Sequence, residues 1–475
     1  MVQGRRRQPG LTARPLPLAT LPWRRLGGVC LTAICLLTAW AAWRRDLPVP
    51  DPRGADMALS PGRGIIERAM AAVDPSAGTA SLSSTRLRLD DSHWKAVKPT
   101  LAAAETRLID IYRLIGNGRT QEALALSAEL VRDHPNFQLA QLVHGDLLSL
   151  RIRPVRQLGD VADTQAVAAR DQLAALREES RRRLQALAER PPEGAIPSAF
   201  LELAPSSRHA IAVDASRSRL YLFENRSRPD TDGAPALRLL ADFYISVGLA
   251  GIDKTTEGDK RTPLGVYYIT STLDPDSLPD LYGAGALPLN YPNALDVQRG
   301  KTGSGIWLHG TPSDQFVRAP QASDGCVVMS NPDLKRLLDT VQIRSTPVLI
   351  AQRLEWVNPI ELADDREAFT EALETWRRSR SQRDLATLKG LYSPRFQQQG
   401  SGLAQWWPRI ETELAAQPVR ELRLKERSML RWRDHEDVMV VTFGEVAAGQ
   451  VRGQTRRQYW VRENDRWYII FEGVI

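Results

Sequence analysis

The hydrophobic period of this chain changes along its length, and each change demands a different kind of packing. Up to about residue 190 apolar residues recur at helical spacing. The stretch "AETRLIDIYRLIGNG" puts Leu108, Ile111, Leu114 and Ile115 on one face and stops at glycines. "RTQEALALSAELV" follows with Ala123, Leu126 and Leu130, before a break at Pro135 and a second helix. A long charged helix from about Thr164 to Glu189 ends at Pro191-Pro192. From Arg208 the pattern alternates. "HAIAVDASRSRLYLFE" reads as two strands around a turn, with further strands in "LRLLADFYISVGL", "GVYYITSTL", "SGIWLHGT" and "TPVLIAQ". "NPDLKRLLDTV" is one embedded helix, with Asn331 as its expected N-cap. Beyond residue 363 amphipathic helices return, and long alternating strands then run to the end. The expectation is a multidomain chain: a helical region over 100–190, a mostly-β domain over 207–352, and an α+β domain over 364–475.

Charge narrows the function classes. The formal net charge is +7. Residues 1–45 hold eight arginines and no acidic residue, so residues 46–475 sum to 7 − 8 = −1. Nucleic-acid binding by counterion release needs a dense basic face, and the overall charge gives it no support. The arginines instead bracket the apolar run Leu26 to Trp43. As a helix it spans roughly 27 Å, enough for a hydrocarbon core. Six arginines precede it and two follow. The positive-inside rule then predicts a cytoplasmic basic segment (1–25), a single-pass inner-membrane anchor (26–43) and a linker (44–99) leading to a periplasmic part. Ala39-Trp40-Ala41 leaves a cleaved signal peptide as the alternative. Either way the bulk of the chain lies outside the cytoplasm.

Export makes the cysteines informative. Cys30 and Cys35 lie within the apolar run, which leaves Cys326 alone in the remainder. A lone thiol in an oxidising compartment invites a functional explanation. His309 ends the apolar strand "IWLH", and seventeen residues later Cys326 closes the small-residue turn "SDGC". An imidazole can take a thiol proton and return it to a leaving amine. The Gly325 turn can direct backbone N–H groups, its own among them, at a developing oxyanion. Residues 309–326 therefore suggest a Cys–His acyl-transfer site. The competing readings are an inert buried cysteine and a metal site built from His309, Asp314, Asp324 and Cys326; no cofactor is expected.

"GDKRTPLGVY", "GIWLHGT", "ASDGCVVMSN" and "TPVLI" occur in an order that resembles the L,D-transpeptidase (YkuD) catalytic domain over about 145 of the 475 residues. The resemblance implies a Cys326 nucleophile, a His309 general base and peptidoglycan stem peptides as substrate, with Gly310, Ser323 and Asp324 around the bound peptide. It implies cleavage after the L-centre of diaminopimelate and transfer of the acyl group to an amine. Transfer to water, a hydrolytic carboxypeptidase or amidase, is the alternative, and a non-catalytic cell-wall scaffold is a second. Many members place a hydrophobe and an arginine after the cysteine, where this chain has Val327-Val328. The loss of that arginine removes a partner for a substrate carboxylate. The C-terminal region, ending "YWVRENDRWYIIFE", resembles the cone-shaped nuclear-transport-factor-2-like fold; relatives with that pairing include cell-shape enzymes that trim peptides. Residues 100–190 resemble a tetratricopeptide-type helix pair. One unit cannot bury a solenoid core, so a helical hairpin packed on its neighbour is expected. Either accessory region offers a surface for a protein partner.

Overall fold

The computed structural model describes residues 102–161, 163–228, 234–416 and 419–475. The basic segment, anchor and linker expected before residue 100 lie outside the described residues. Among the described residues no helix is long and apolar enough to cross a membrane.

The helical region comprises α1 (Ala103–Gly116), α2 (Thr120–Asp133), α3 (Gln138–Ser149) and α4 (Arg170–Ala188). The charged helix is shorter than expected, because a break at Ala169 separates α4 from a six-residue turn of helix, Asp163–Ala168. The apolar stripe of α1 is buried at Leu108, Ile111 and Ile115 against Leu130, Phe137 and Val143.

The strands that follow are β1 (Phe200–Glu202), β2 (His209–Asp214), β3 (Arg219–Asn225), β4 (Leu237–Gly248), β5 (Gly265–Tyr268), β6 (Ala286–Pro288), β7 (Trp307–His309), β8 (Gln321–Ser323), β9 (Val327–Met329) and β10 (Pro347–Ala351). Nine of them form one sheet in the order β5-β10-β2-β3-β4-β9-β7-β6, with β8 alongside β4. Alternation assigns its two faces. Ile211, Val213, Leu220, Leu222, Phe243 and Ile245 pack with Leu334 and Leu337 of the embedded helix. Ala210, Ala212, Tyr221, Phe223 and Leu349 face the other way, onto Leu430, Trp432, Val440 and Tyr459 of the C-terminal sheet.

That sheet contains β11 (Leu422–Arg433), β12 (Asp437–Ala447), β13 (Gln454–Glu463) and β14 (Arg466–Val474), antiparallel in sequence order. Its edge is completed by β1, through the pairs Met429↔Glu202 and Leu430↔Phe200. Its far face carries Met439, Val441, Phe443 and Trp460 against Phe369 and Trp376 of the helix Ala363–Gln382, and Trp407 and Ile410 of the helix Leu403–Ala416. Trp376, Trp407, Trp460 and Trp467 are core residues of this domain, and Trp432 belongs to the interface between the sheets.

A buried ion network fixes the helical region to the nine-stranded sheet. Arg219 on β3 grips Glu105 of α1 through two bonds of 2.6 and 2.8 Å and reaches Asp242 at 3.2 Å. Arg183 of α4 pairs with Glu105 at 2.7 Å and with Glu179 at 2.8 Å. Its guanidinium lies 3.9 Å from the Tyr244 ring centroid. Burial alone raises the Glu105 carboxyl, but Arg219 and Arg183 outweigh it and hold the group down at about 2. Removing one partner of such a network leaves an uncompensated buried charge. Glu105→Gln is therefore expected to cost about 3–5 kcal/mol in urea unfolding of the transition that includes the helical region. A loss below about 1 kcal/mol contradicts this account.

Candidate active site

Two parallel strands build the centre of the site. β7 and β9 pair in the register Val327↔Leu308 and Val328↔His309. Leu308 and Val327 are fully buried in the same core. Cys326 and His309 each lie one residue from this pair, so alternation turns both side chains to the opposite face. The family position that commonly holds arginine is Val328, a buried β-strand position here.

The cysteine turn is held from within. Ser323 Oγ donates to Cys326 O at 2.6 Å and accepts from Gly325 N at 3.1 Å. Thr262 Oγ1 donates to Gly325 O and accepts from Gly248 N, both at 2.9 Å. Gly325 adopts φ +127°, and a Cβ there would stand 2.8 Å from Arg261 O, so the turn and the "GDKRTP" loop fit together only with glycine. These bonds correct two expectations. The Gly325 N–H is occupied by Ser323 and is not free for an oxyanion. Ser323 is buried and spent on the turn, so it does not face a peptide. Asp324 is exposed beside the thiol, where it can meet one.

His309 is buried and oriented by its neighbour, with Nδ1 2.7 Å from Gly310 O. A carbonyl only accepts, so Nδ1 carries the proton and Nε2 is left as the base. Gly310 therefore acts on the imidazole rather than on substrate. A Cβ at Gly310 or at Gly283 would meet Asn331 Oδ1 at 2.0 or 2.1 Å. The Asn331 amide fills that space: Oδ1 accepts from Ala284 N at 2.9 Å and Thr311 N at 3.2 Å, and Nδ2 donates to Thr311 O at 2.8 Å. Asn331 is thus a clamp on the His309 loop and not the helix cap. The cap of the helix Asn331–Leu338 is Ser330, whose hydroxyl accepts from Asp333 N. Tyr282 closes the far side of the imidazole, its ring 5.0 Å from that of His309.

The thiol is half-buried and donates to Gly305 O at 3.4 Å. Burial pushes its pKa up, and the Trp307 N–H and the charges of Arg318 and Lys254 reduce that rise without cancelling it. Burial lowers His309 to about 4, against the Gly310 bond and with the aid of Arg318. The resting pair is therefore neutral thiol and neutral imidazole, not a thiolate–imidazolium pair. Among the described residues no three His, Cys, Asp or Glu side chains gather as metal ligands.

The connection between His309 and Cys326 is anchored on the helical region. Phe316 is buried in the helical core, stacked on Phe137 at 4.5 Å and beside His134 at 4.9 Å. Its N–H donates to Asn136 O at 3.1 Å, and Asn136 Nδ2 donates to Ser313 O at 3.2 Å. Neither Phe316 nor Thr262 is singled out by the local sequence pattern, and Asn331 is singled out only as a helix cap; an aromatic in a largely polar loop is the one available signal for Phe316.

With the thiol raised and the imidazole neutral down to about 4, the thiolate fraction grows only as pH rises through the raised thiol pKa. Iodoacetamide alkylation of Cys326 is expected to climb steadily from pH 6 to pH 9, followed by intact mass. A rate plateau already reached below pH 7 contradicts the neutral resting pair.

Residues 208–350 match the family model for the L,D-transpeptidase catalytic domain, YkuD. Residues 368–473 match that for the Cds6 C-terminal NTF2-like domain. Among solved structures, Bd1075 of Bdellovibrio bacteriovorus is 25% identical; the match covers 59% of this chain and 98% of that one, with a TM-score of 0.50. The helical cell shape determining protein Pgp2 of Campylobacter jejuni is 21% identical, covering 58% and 95%, with a TM-score of 0.48. No curated protein matches. Residues 208–350 therefore form an L,D-transpeptidase (YkuD) catalytic domain, and residues 368–473 an NTF2-like domain of the Cds6 C-terminal kind.

Proposed function

We propose that this protein is a cysteine acyltransferase of the L,D-transpeptidase type, acting on tetrapeptide stems of peptidoglycan. The observation that carries the proposal is the β7–β9 register, which sets a half-buried thiol and a tautomer-fixed imidazole on one face of adjacent strands. Cys326 attacks the carbonyl at the L-centre of diaminopimelate while its proton passes to Nε2 of His309. The S–C bond forms, the C–N bond breaks, and His309 returns the proton to the departing D-alanine amine. An amine then takes the acyl group from sulfur to form a crosslink, and water taking it instead gives a trimmed tripeptide. Asp324, exposed beside the thiol, is suited to the ammonium of the diaminopimelate side chain. In this reading residues 26–43 tether the enzyme to the inner membrane and leave residues 100–475 in the periplasm, where the substrate lies.

The test is D-alanine release from purified tetrapeptide muropeptides by the full chain. Cys326→Ala is expected to abolish release, and His309→Ala to lower kcat about 10²–10⁴-fold, the usual worth of a general base. Chromatography of the products distinguishes dimers, which identify transfer, from tripeptides alone, which identify hydrolysis. Release that persists in the Cys326→Ala variant refutes the proposed nucleophile.

A further inference from the structure

Residues 310–320 connect β7 to β8 and contain neither strand nor helix. A segment without ladder bonds takes its shape from its side chains and from what they dock on. In "GTPSDQFVRAP" the tip residues Ser313 and Asp314 are exposed. From Pro312 to Ala319 only Phe316 is buried, and it is buried in the helical core, not in the core beneath its own strands. Its ring stacks on Phe137, its N–H donates to Asn136 O at 3.1 Å, and Asn136 Nδ2 donates to Ser313 O at 3.2 Å. The turn between α2 and α3 thus holds this segment by backbone and side chain together. The other bonds at the tip, from Ser313 to the Asp280 carboxylate at 3.2 Å, are exposed.

Thr311 carries that hold to the imidazole. It is fully buried, and its hydroxyl donates to Gln315 O at 2.8 Å and lies 3.2 Å from Phe316 O. Its N–H donates to Asn331 Oδ1 at 3.2 Å. That N–H and the Gly310 carbonyl belong to one planar peptide unit, so fixing one fixes the direction of the other. The Gly310 carbonyl is the acceptor 2.7 Å from His309 Nδ1, and it selects the tautomer that leaves Nε2 bare. A swing of this peptide plane would release Nδ1, and a free neutral imidazole carries its proton on either nitrogen. Every link from the Phe137 ring to the His309 ring is thus a packed ring, a hydrogen bond or a peptide plane.

We infer that Phe316 is a positioning residue: seated in the helical core, it holds the Gly310 carbonyl on Nδ1 and so keeps His309 a base. The helical region is then a control element of the site. The inference rests on the proposed acyl transfer for the task of His309, but not for its tautomer. Thr311 is clamped from two sides. Asn331 holds it from the embedded helix of the same domain, and that hold persists as long as the sheet is folded. The hold through Phe316 fails if the α2–α3 turn moves. Lifting that turn off the segment therefore disables the base while the β7–β9 register stays.

Turnover tests this through a mutant cycle in the full chain, read as D-alanine release from tetrapeptide muropeptides. Phe316→Ala is expected to lower kcat about 10²-fold, the usual cost of a misplaced catalytic group, with KM within about twofold of wild type. Phe316→Leu keeps the apolar seat and should recover most of that loss. In a His309→Ala background Phe316→Ala should add less than about threefold, because it acts through a base already gone. A further loss of about 10²-fold there, or a wild-type kcat in Phe316→Ala, overturns the inference. Where Phe316→Ala does not fold by circular dichroism, Asn136→Ala takes its place, since it cuts the bond to Ser313 without opening the core; a loss of about tenfold is then expected, and none overturns the inference. The tautomer is read without turnover, by nitrogen-15 NMR of the histidine-labelled full chain, with the His309 signal identified by its absence from His309→Ala. Wild type is expected to show Nδ1–H alone, and Phe316→Ala a mixture with Nε2–H that Phe316→Leu reverses. Unmixed Nδ1–H in Phe316→Ala overturns the inference. The expected mixture, in a protein whose wild type releases no D-alanine, instead leaves Phe316 in its role and removes the acyl-transfer reading.

Discussion

The register of β7 against β9 is the constraint on which the site rests. Parallel neighbours here bury Leu308 and Val327 in one core, and this pairing alone determines that Cys326 and His309 emerge on the other face. A slip of one residue would turn the thiol into the core and an apolar side chain into the site. Each strand is only three residues long, and two residue pairs hold them in register. The pairing is stabilised by what surrounds it: β4 pairing with β9 on the other edge, the Asn331 amide holding the loop after His309, and Thr262 and Ser323 holding the turn before Cys326.

The accessory regions are built into this arrangement. The C-terminal sheet covers one face of the catalytic sheet, so strands such as β3 and β10 are apolar on both sides. The helical region buries Phe316 from the loop between His309 and Cys326 and is itself bound to the sheet by Glu105, Arg183 and Arg219. It therefore fixes the loop that connects His309 to Cys326. The hairpin expected from its sequence is present, and its apolar surface near Phe137 is occupied by the chain's own loop.

The parts of this molecule legible in its sequence are those set by short-range pattern. The strand ending at His309, the Gly325 turn and the helix after Cys326 follow from alternation, a small-residue turn and helical spacing. What escaped is long-range. β1 is three residues that pair with β11 more than two hundred positions away, and nothing local in "AFLEL" selects that partner. Asn331 satisfies the preferences of a helix cap, yet Ser330 does so one residue earlier, and the amide is left to bridge loops from two other segments. The turn at Gly325 is expected to offer a backbone donor to an oxyanion, and Gly310 is expected near the peptide through the family resemblance. Both instead permit a close approach by Arg261 O and Asn331 Oδ1, which only the folded geometry shows. Val328, at the position that commonly holds arginine, is buried in the strand that follows Cys326, which the local pattern alone does not show.

The central claim is that Cys326, served by His309, forms a covalent acyl intermediate. Intact-mass spectrometry of the full chain after exposure to a carbapenem tests it most directly, because the strained lactam carbonyl is opened by an activated thiol and adds its whole mass to the protein. The account predicts a single adduct that maps to Cys326, is absent from Cys326→Ala and forms far more slowly in His309→Ala. An unmodified wild-type chain, or an adduct that persists in Cys326→Ala, would contradict it.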